Sequence, residues 1–299
     1  MNVIAFFHAY KFTHFSTSVS EKTKSPEKLS VIAKIKTLIT GVNNPRPVNK
    51  PVDSSYRIDI ITLQSNKKIE CWYIQSNADI DSAKGTVAIF HGYSGEKSSM
   101  MDKAEEFLKL GYNTLLVDFM GSGGSEGNQT TLGYKEAEQV KTVFEYLQQK
   151  GEQQIYLFGT SMGAAAILKS IHDYQIKPKA IILECPFGSM YETTCARFRN
   201  MNAPVFPMAG LLVFWGGVQN GFWAFEHKPT KYAKSVTFPT LLLYGEKDKN
   251  VSRSETDAIF ENLNGKKQLK TYAEAGHENY LLNYKREWIQ DITSFLQTN

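Results

Sequence analysis

The chain has 299 residues, enough for one large α/β domain or two small ones with a sizeable hydrophobic core. Its 34 Lys and Arg against 30 Asp and Glu leave a net charge of +4, too small to imply nucleic-acid binding without a localised basic patch. Cys71, Cys185 and Cys195 cannot all pair and match no zinc spacing. They indicate reduced thiols in a cytoplasmic protein, and we expect neither a metal nor a cofactor.

Residues 1–50 are interpreted as an N-terminal extension of the main domain, which spans 51–299. The apolar run near the start covers about eight residues, far short of the ~20 that cross a bilayer. It also lacks the basic flank and the small-residue cleavage site of a secretory signal. Residues 43–51 contain three prolines and are predicted to form an extended linker.

A short amphipathic helix is predicted over residues 29–39 of this extension. Its apolar residues share one helical face, with lysines elsewhere: Leu29, Ile32, Ile35, Leu38 and Ile39. The favoured interpretation is that this face packs on the domain. The alternative is a weak peripheral contact with an anionic membrane surface.

From residue 57 onward the pattern is that of an α/β domain. Residues 57–63 and 69–75 alternate apolar and polar side chains around Ser65-Asn66, which predicts an antiparallel hairpin at a sheet edge. Further strands are predicted at 85–90, 114–119, 155–158, 180–183, 239–244 and 268–272, with helices at 101–110, 135–149, after residue 163 and at 288–296. This alternation predicts a mostly parallel sheet with helices on both faces.

Chemically reactive side chains follow the ends of the predicted strands: His91, Asp118, Ser161, Glu184, Asp248 and His277. Functional residues of a parallel sheet gather beyond the carboxyl ends of its strands. A site built from several of these six residues is therefore expected.

The segment Gly159-Thr-Ser161-Met-Gly163 joins a buried strand directly to an Ala-rich helix. Glycines flanking a sharp strand-to-helix turn allow Ser161 to be held at its tip as a nucleophile, beside the free N–H groups of the helix. The same G-x-S-x-G pattern occurs around Ser125. That serine lies several residues beyond its strand, and no helix-forming segment follows it. Ser161 is therefore the favoured nucleophile.

A serine nucleophile requires an imidazole base and a carboxylate that orients the imidazole. His277 is the preferred base because it follows the last strand in a Gly-flanked loop, whereas His91 follows its strand directly. Asp248 and Glu184 each end a strand between Ser161 and His277, so both remain candidates for the acid.

The sequence resembles the α/β-hydrolase superfamily, nearest its serine-aminopeptidase-like and Bem46-like esterase branch, over residues 55–299. The motifs that carry this resemblance are His91-Gly-Tyr-Ser-Gly95, residues 118–127, Gly159–Gly163, Tyr244-Gly-Glu-Lys-Asp248 and Gly276-His277. It implies the α/β-hydrolase fold, with Ser161 as nucleophile, Asp248 as acid and His277 as base. It also implies an oxyanion hole formed by the N–H groups of Tyr93 and Met162. Met120 stands where the family usually has arginine, so an ion pair that orders this loop is expected to be missing.

A cap is expected at about residues 186–236, where this fold commonly carries its lid. Nine aromatic residues lie between Phe187 and Phe225, interspersed with glycines and without a regular period. We interpret the segment as a flexible apolar cap over an acyl pocket, with Phe187, Trp215 and Trp223 as substrate-binding residues. The alternative is an ordinary packed insertion.

The resulting expectation is a carboxylic-ester hydrolase that forms an acyl-enzyme on a small-molecule acyl substrate. An amidase, peptidase or acyltransferase with the same triad, and a non-catalytic binding scaffold, remain alternatives. The sequence leaves the acyl length and the oligomeric state open.

Overall fold

The computed structural model describes residues 1–18, 21–24, 29–76 and 83–299. The main domain begins with the predicted hairpin, in which β1 (Ile58–Gln64) pairs antiparallel with β2 (Lys68–Ile74). β1 forms one edge of the sheet, as the alternation of its side chains predicts.

Six parallel strands follow and complete an eight-stranded sheet of order β1-β2-β4-β3-β5-β6-β7-β8. They are β3 (Thr86–Phe90), β4 (Asn113–Val117), β5 (Ile155–Thr160), β6 (Ala180–Glu184), β7 (Thr240–Gly245) and β8 (Lys267–Tyr272). All residues of β3, β6 and β7 are buried, because helices cover both faces of the sheet. The predicted mostly parallel α/β architecture is confirmed.

The covering helices are α3 (Met101–Lys109), α4 (Glu136–Gln149), α5 (Met162–Tyr174), α9 (Arg253–Asn262), α10 (Tyr280–Asn283) and α11 (Lys285–Gln297). Helix α9 was not predicted, although Ser252 and Glu255 form a capping box at its start. One core contains Val140, Phe144 and Leu168, and the opposite core contains Phe107 and Trp288.

The segment after β6 is helical and not irregular. It contains α6 (Met190–Asn200), α7 (Met208–Asn220) and the short α8 (Pro229–Tyr232). These helices were not predicted, because the sequence of this segment shows no regular apolar period. Helix α7 is apolar around most of its circumference, so its sequence lacks the one-sided period of a surface helix.

The N-terminal extension carries two helices, α1 (Asn2–Thr13) and α2 (Val31–Thr40), and only α2 was predicted. Helix α1 buries Ala5 and Ala9 and packs along α7, where the ring centroids of Phe6 and Trp215 are 5.2 Å apart. Helix α2 lies beside α1, with His8 Nε2 3.2 Å from the carbonyl oxygen of Ile39. None of the described helices has the length and hydropathy of a bilayer-spanning segment.

The predicted helical face of residues 29–39 is divided between two environments. Leu29 and Leu38 line a cavity, whereas Ile32, Ile35 and Ile39 are exposed. Most of this face therefore does not pack on the domain, contrary to the favoured interpretation.

The predicted linker, residues 43–51, is extended but bound to the domain. The Arg46 guanidinium donates hydrogen bonds to the carbonyl oxygens of Gly123, Ser125 and Gly127, at 2.8, 2.6 and 3.2 Å. Arg46 thus orders the Gly-rich loop that follows β4, residues 121–127. Met120, the residue immediately before this loop, is buried.

Candidate active site

Ser161 lies at a strained turn between β5 and α5, with φ 52° and ψ −107°. A Cβ atom at Gly159 would lie 2.6 Å from the nitrogen of Ala164, and one at Gly163 would lie 2.4 Å from the oxygen of Phe90. Only glycine therefore fits on either side of this serine. Backbone strain at such a position is characteristic of a nucleophile elbow.

The structure brings three of the predicted residues into one hydrogen-bonded chain. His277 Nε2 lies 3.0 Å from Ser161 Oγ, and His277 Nδ1 lies 2.7 Å from Asp248 Oδ2. A carboxylate only accepts, so Nδ1–H donates to Asp248 and Nε2 is left to accept from the serine hydroxyl. Asp248 Oδ1 accepts from the N–H groups of Asn250 and Val251, at 2.7 and 2.9 Å, which fixes the carboxylate.

The surroundings of His277 favour its protonated form. Burial lowers the pKa of this imidazole, whereas Cys185 and the hydrogen-bonded Asp248 carboxylate raise it, and the net direction is well upward. The interaction with Asp248 is the cause we consider decisive, because that carboxylate has no solvent-exposed side-chain surface.

The two predicted oxyanion donors flank the serine. Met162 is the first residue of α5, so its N–H belongs to the turn that has no intrahelical acceptor. The loop containing Tyr93 passes beside the elbow, since a Cβ at Gly92 would lie 3.7 Å from Ser161 Cβ. The Tyr93 hydroxyl donates to the carbonyl oxygen of Phe12 at 2.7 Å and accepts from Asn44 Nδ2 at 2.8 Å, which holds this loop.

Glu184, the rival acid, is bound to other partners. Its carboxylate accepts from Trp288 Nε1 at 2.7 Å and from Thr160 Oγ1 at 3.0 Å, and it lies 3.5 Å from Lys103 Nζ. Both Glu184 and Lys103 are buried. The structure pairs His277 with Asp248, and Glu184 forms part of a buried network behind the elbow.

The other candidate residues hold loops in place. His91 is buried and accepts from the N–H of Phe119 through Nε2. Ser125 Oγ donates to the carbonyl oxygen of Asp118 at 2.7 Å. The Asp118 carboxylate forms a buried ion pair with Lys97. Burial raises the pKa of this carboxyl, but the Lys97 ammonium outweighs it and the pKa lies below its ordinary value.

Cys185 was missed as a neighbour of the site. Its sulfur, one carboxylate oxygen of Asp248 and one ring nitrogen of His277 lie within 4.8 Å of one another. Among the described residues, these three form the group close enough together to hold a metal ion, although both nitrogens of His277 already form hydrogen bonds with Ser161 and Asp248. The sequence signal that could have identified Cys185 is its position directly after β6, beside Glu184.

Two cavities meet at this site. One, of about 460 Å³, is lined by Ser161, Met162 and Phe187. The other, of about 590 Å³, extends from His277 between the N-terminal helices and α7. Both are lined by Tyr93, Leu132, Arg197, Asn250, His277 and Glu278, so they adjoin at the triad.

Of the three predicted substrate-binding aromatics, only Phe187 lines these cavities. Trp215 packs against Phe6 and its Nε1 donates to Asn2 Oδ1 at 3.3 Å. Trp223 is 56% exposed. The expectation for Trp215 and Trp223 is corrected, because α7 directs Leu212, Val213 and Gly216 toward the larger cavity instead.

Comparison with known proteins gives relatives of low identity. YqkD of Bacillus subtilis, an uncharacterized protein, is 25% identical over 215 residues, which cover 71% of this chain and 70% of YqkD. The lysophosphatidylserine lipase ABHD12 of Danio rerio is 27% identical over 129 residues, 40% of this chain. The matched part is 32% of ABHD12, so the chain corresponds to about a third of that lipase.

Structural comparison gives the fold. The Pyrococcus furiosus esterase Pf2001 superimposes with a TM-score of 0.70 at 22% identity, over 86% of this chain and 97% of that esterase. A family model described as serine aminopeptidase, S33, matches residues 81–221 and 223–281, which include Ser161, Asp248 and His277. The chain therefore has the α/β-hydrolase fold and belongs to the serine aminopeptidase (S33) family of hydrolases.

Proposed function

We propose that this hydrolase cleaves carboxylic esters through an acyl-enzyme on Ser161. The observation that carries this proposal is the hydrogen-bonded chain Ser161–His277–Asp248 on a strained elbow. Such a chain converts a weakly nucleophilic hydroxyl into a nucleophile at neutral pH.

In the first half of the reaction, Ser161 Oγ attacks the ester carbonyl carbon while His277 Nε2 takes its proton. The oxyanion accepts hydrogen bonds from the N–H groups of Tyr93 and Met162. The carbon–oxygen bond to the alcohol then breaks, and the alcohol leaves with the proton from His277. In the second half, water attacks the acyl-enzyme, gives a proton to His277 and releases the carboxylic acid. Ser161 Oγ then regains that proton.

The larger cavity supports an ester with an apolar acyl part. Its walls include Phe12, Leu38, Leu212 and Val213, and it reaches His277. Its volume of about 590 Å³ lies within the usual range for small-molecule sites, ~300–1,000 Å³. The names of two similar proteins, a lysophosphatidylserine lipase and an esterase, agree with ester chemistry.

Labelling with a fluorophosphonate, combined with hydrolysis of aryl esters, tests this proposal. Ser161→Ala should abolish labelling and reduce kcat by about 10⁴-fold or more. Ser125→Ala, which changes the other G-x-S-x-G serine, should retain both properties. Persistent labelling of Ser161→Ala would contradict the nucleophile assignment. Faster cleavage of aminoacyl anilides than of aryl esters would assign the triad to amide chemistry instead.

A further inference from the structure

Exposed apolar side chains are concentrated on one part of the molecule. Among the described residues, the large apolar side chains that are exposed lie on α1, α2, α7 and their flanks. The exceptions are Val48, Ile60, Tyr174 and Leu282. Ile32 and Phe206 are 81% and 85% exposed. Soluble proteins rarely expose apolar side chains in such groups unless the surface contacts something. We call the outer faces of α1, α2 and α7 the apolar surface.

Ring contacts connect the parts of this surface. Phe7 contacts Phe6 edge-on with centroids 5.5 Å apart, and Phe6 contacts Trp215 at 5.2 Å. Trp215 contacts Phe214 at 5.1 Å, and Phe214 contacts Trp223 at 6.3 Å. Helix α2 joins this group through α1, since Lys11 Nζ donates to the carbonyl oxygen of Thr40 at 2.7 Å. The three helices therefore form one contiguous structure.

The charged side chains on the three helices of this surface are all basic. No Asp or Glu occurs in α1, α2 or α7, whereas Lys11, Lys34 and Lys36 lie on α1 and α2. Residues 1–50 contain eight Lys and Arg but two Glu, which gives +6 and leaves −2 for the rest of a chain of net charge +4. Basic and apolar side chains on adjacent helices are the combination that binds anionic lipid surfaces.

The inner sides of these helices line the larger cavity. Ala9 and Phe12 of α1, Leu38 of α2, and Leu212 and Val213 of α7 all contribute to its wall, which continues to His277. The helices that expose apolar side chains outward thus also enclose the space that leads to the triad.

We propose that the apolar surface docks on an anionic phospholipid bilayer, so that a long-chain lipid ester passes from the bilayer into the larger cavity. Docking itself rests on the surface and its charge. The substrate class rests in addition on the proposed esterase function. A second copy of the chain is the competing occupant, but two surfaces that both carry lysines and no acidic residues repel each other.

Vesicle flotation of the full chain tests the surface. The test variant carries Ile32→Asp and Ile35→Asp, both at exposed positions of α2, and the matched control is Ile60→Asp, an exposed isoleucine of β1. The unmodified chain and the control should float with equimolar phosphatidylcholine–phosphatidylglycerol vesicles. Binding should fall with pure phosphatidylcholine and in 1 M salt, where the Debye length is only about 3 Å. The double variant should bind these vesicles at least about tenfold more weakly than the unmodified chain.

Measuring hydrolysis of two esters, one soluble and one embedded in vesicles, tests docking separately from the proposed esterase function. All three proteins should hydrolyse a soluble aryl butyrate equally, whereas only the double variant should lose hydrolysis of a long-chain ester embedded in the anionic vesicles. Docking is overturned if the unmodified chain fails to float, or if the double variant floats equally well. It is also overturned if the surface mediates a dimer that light scattering detects and the double variant abolishes. Flotation without hydrolysis of either ester would refute the esterase function and leave docking intact.

Discussion

Two buried carboxylates near Ser161 have different partners, and this separates their expected roles. Asp248 holds His277, while Glu184 neutralises Lys103 and accepts from Trp288. Their positions at strand ends could not distinguish them, and Asp248 was preferred only on the family resemblance. The distinction comes from the loop after β7, which turns Asp248 toward His277 through the N–H groups of Asn250 and Val251.

The matched substitutions Asp248→Asn and Glu184→Gln should therefore give opposite results. Asp248→Asn should reduce kcat by about 10⁴-fold with a near-normal Tm, because the amide no longer holds the catalytic tautomer of His277. Glu184→Gln should leave the turnover of folded enzyme within about tenfold and lower the Tm, because Lys103 loses its buried counter-charge, a change that costs about 3–5 kcal/mol. Kinetics and thermal denaturation measure the two effects. The reverse pattern would make Glu184 the acid.

In the proposed mechanism, the pKa of His277 determines the pH dependence of activity. Nε2 accepts a proton only in the neutral imidazole, so kcat/KM should rise with pH as His277 deprotonates. Because its pKa is raised, the half-maximal point should lie above the ordinary histidine value of about 6.5. Asp248→Asn removes the carboxylate that raises it, so the residual activity of that variant should have its half-maximal point at lower pH. A half-maximal point at or below 6.5 in the unmodified enzyme would contradict this assignment.

At the scale of elements, the strands and most of the helices that cover them could be predicted from the sequence, whereas α9 and the cap helices were not. Strands β3 to β7 contain short apolar runs, and helices α3 and α4 have a regular apolar face. Helix α7 contacts α1 on one side and lines the larger cavity on another, so apolar residues occur all around it. Local periodicity cannot reveal a helix whose partners lie about 200 residues earlier in the chain.

Helix α7 provides a matched test of the larger cavity. A Cβ atom at Gly216, which lines the cavity, meets no atom within 4 Å, and the same holds at Gly210, which is not among the residues lining either cavity. Leucine should therefore fit at both positions without a backbone clash. Gly216→Leu should fill part of the cavity and shift the preferred acyl chain to a shorter length, whereas Gly210→Leu should not.

The measurement is kcat/KM over a series of aryl esters of increasing acyl length. In the unmodified enzyme each added CH₂ that enters the cavity should raise it about fourfold, since burial of one CH₂ contributes about 0.8 kcal/mol. Both leucine variants should keep or raise the Tm, because glycine within a helix costs about 0.5–1 kcal/mol relative to alanine. Identical chain-length profiles for the two variants would show that the acyl group binds elsewhere.

At the scale of the whole molecule, the sequence separated residues 1–50 from the domain, while the structure connects them closely. The bonds that do so join residues distant in the chain. Phe15 N–H donates to the carbonyl oxygen of Asn128 at 2.5 Å, and Thr130 N–H donates to that of Thr13 at 2.8 Å. The ring of Phe12 stacks on Tyr93 with centroids 4.6 Å apart. No local pattern encodes such pairs, so the sequence alone suggested an extension separate from the main domain.

Deletion of residues 1–17 should therefore affect both stability and catalysis. It removes Ala5, Ala9 and Phe15, which are buried, and Phe12, which supports the Tyr93 loop. Burial of each Phe contributes about 1.5–3 kcal/mol, and a loss of several kcal/mol should lower the Tm on the order of 10 °C. The kcat for a soluble aryl ester should also fall, because the loop that carries the Tyr93 N–H loses its contacts with Phe12 and Phe15. Phe7→Ser, at a residue that is 58% exposed, is the control and should leave both properties unchanged.

Calorimetry and kinetics measure the two effects of the deletion. If the shortened chain is as stable and as active as the full chain, residues 1–17 contribute to neither stability nor catalysis. In that case the Tyr93 loop would be held entirely by the main domain and by Asn44.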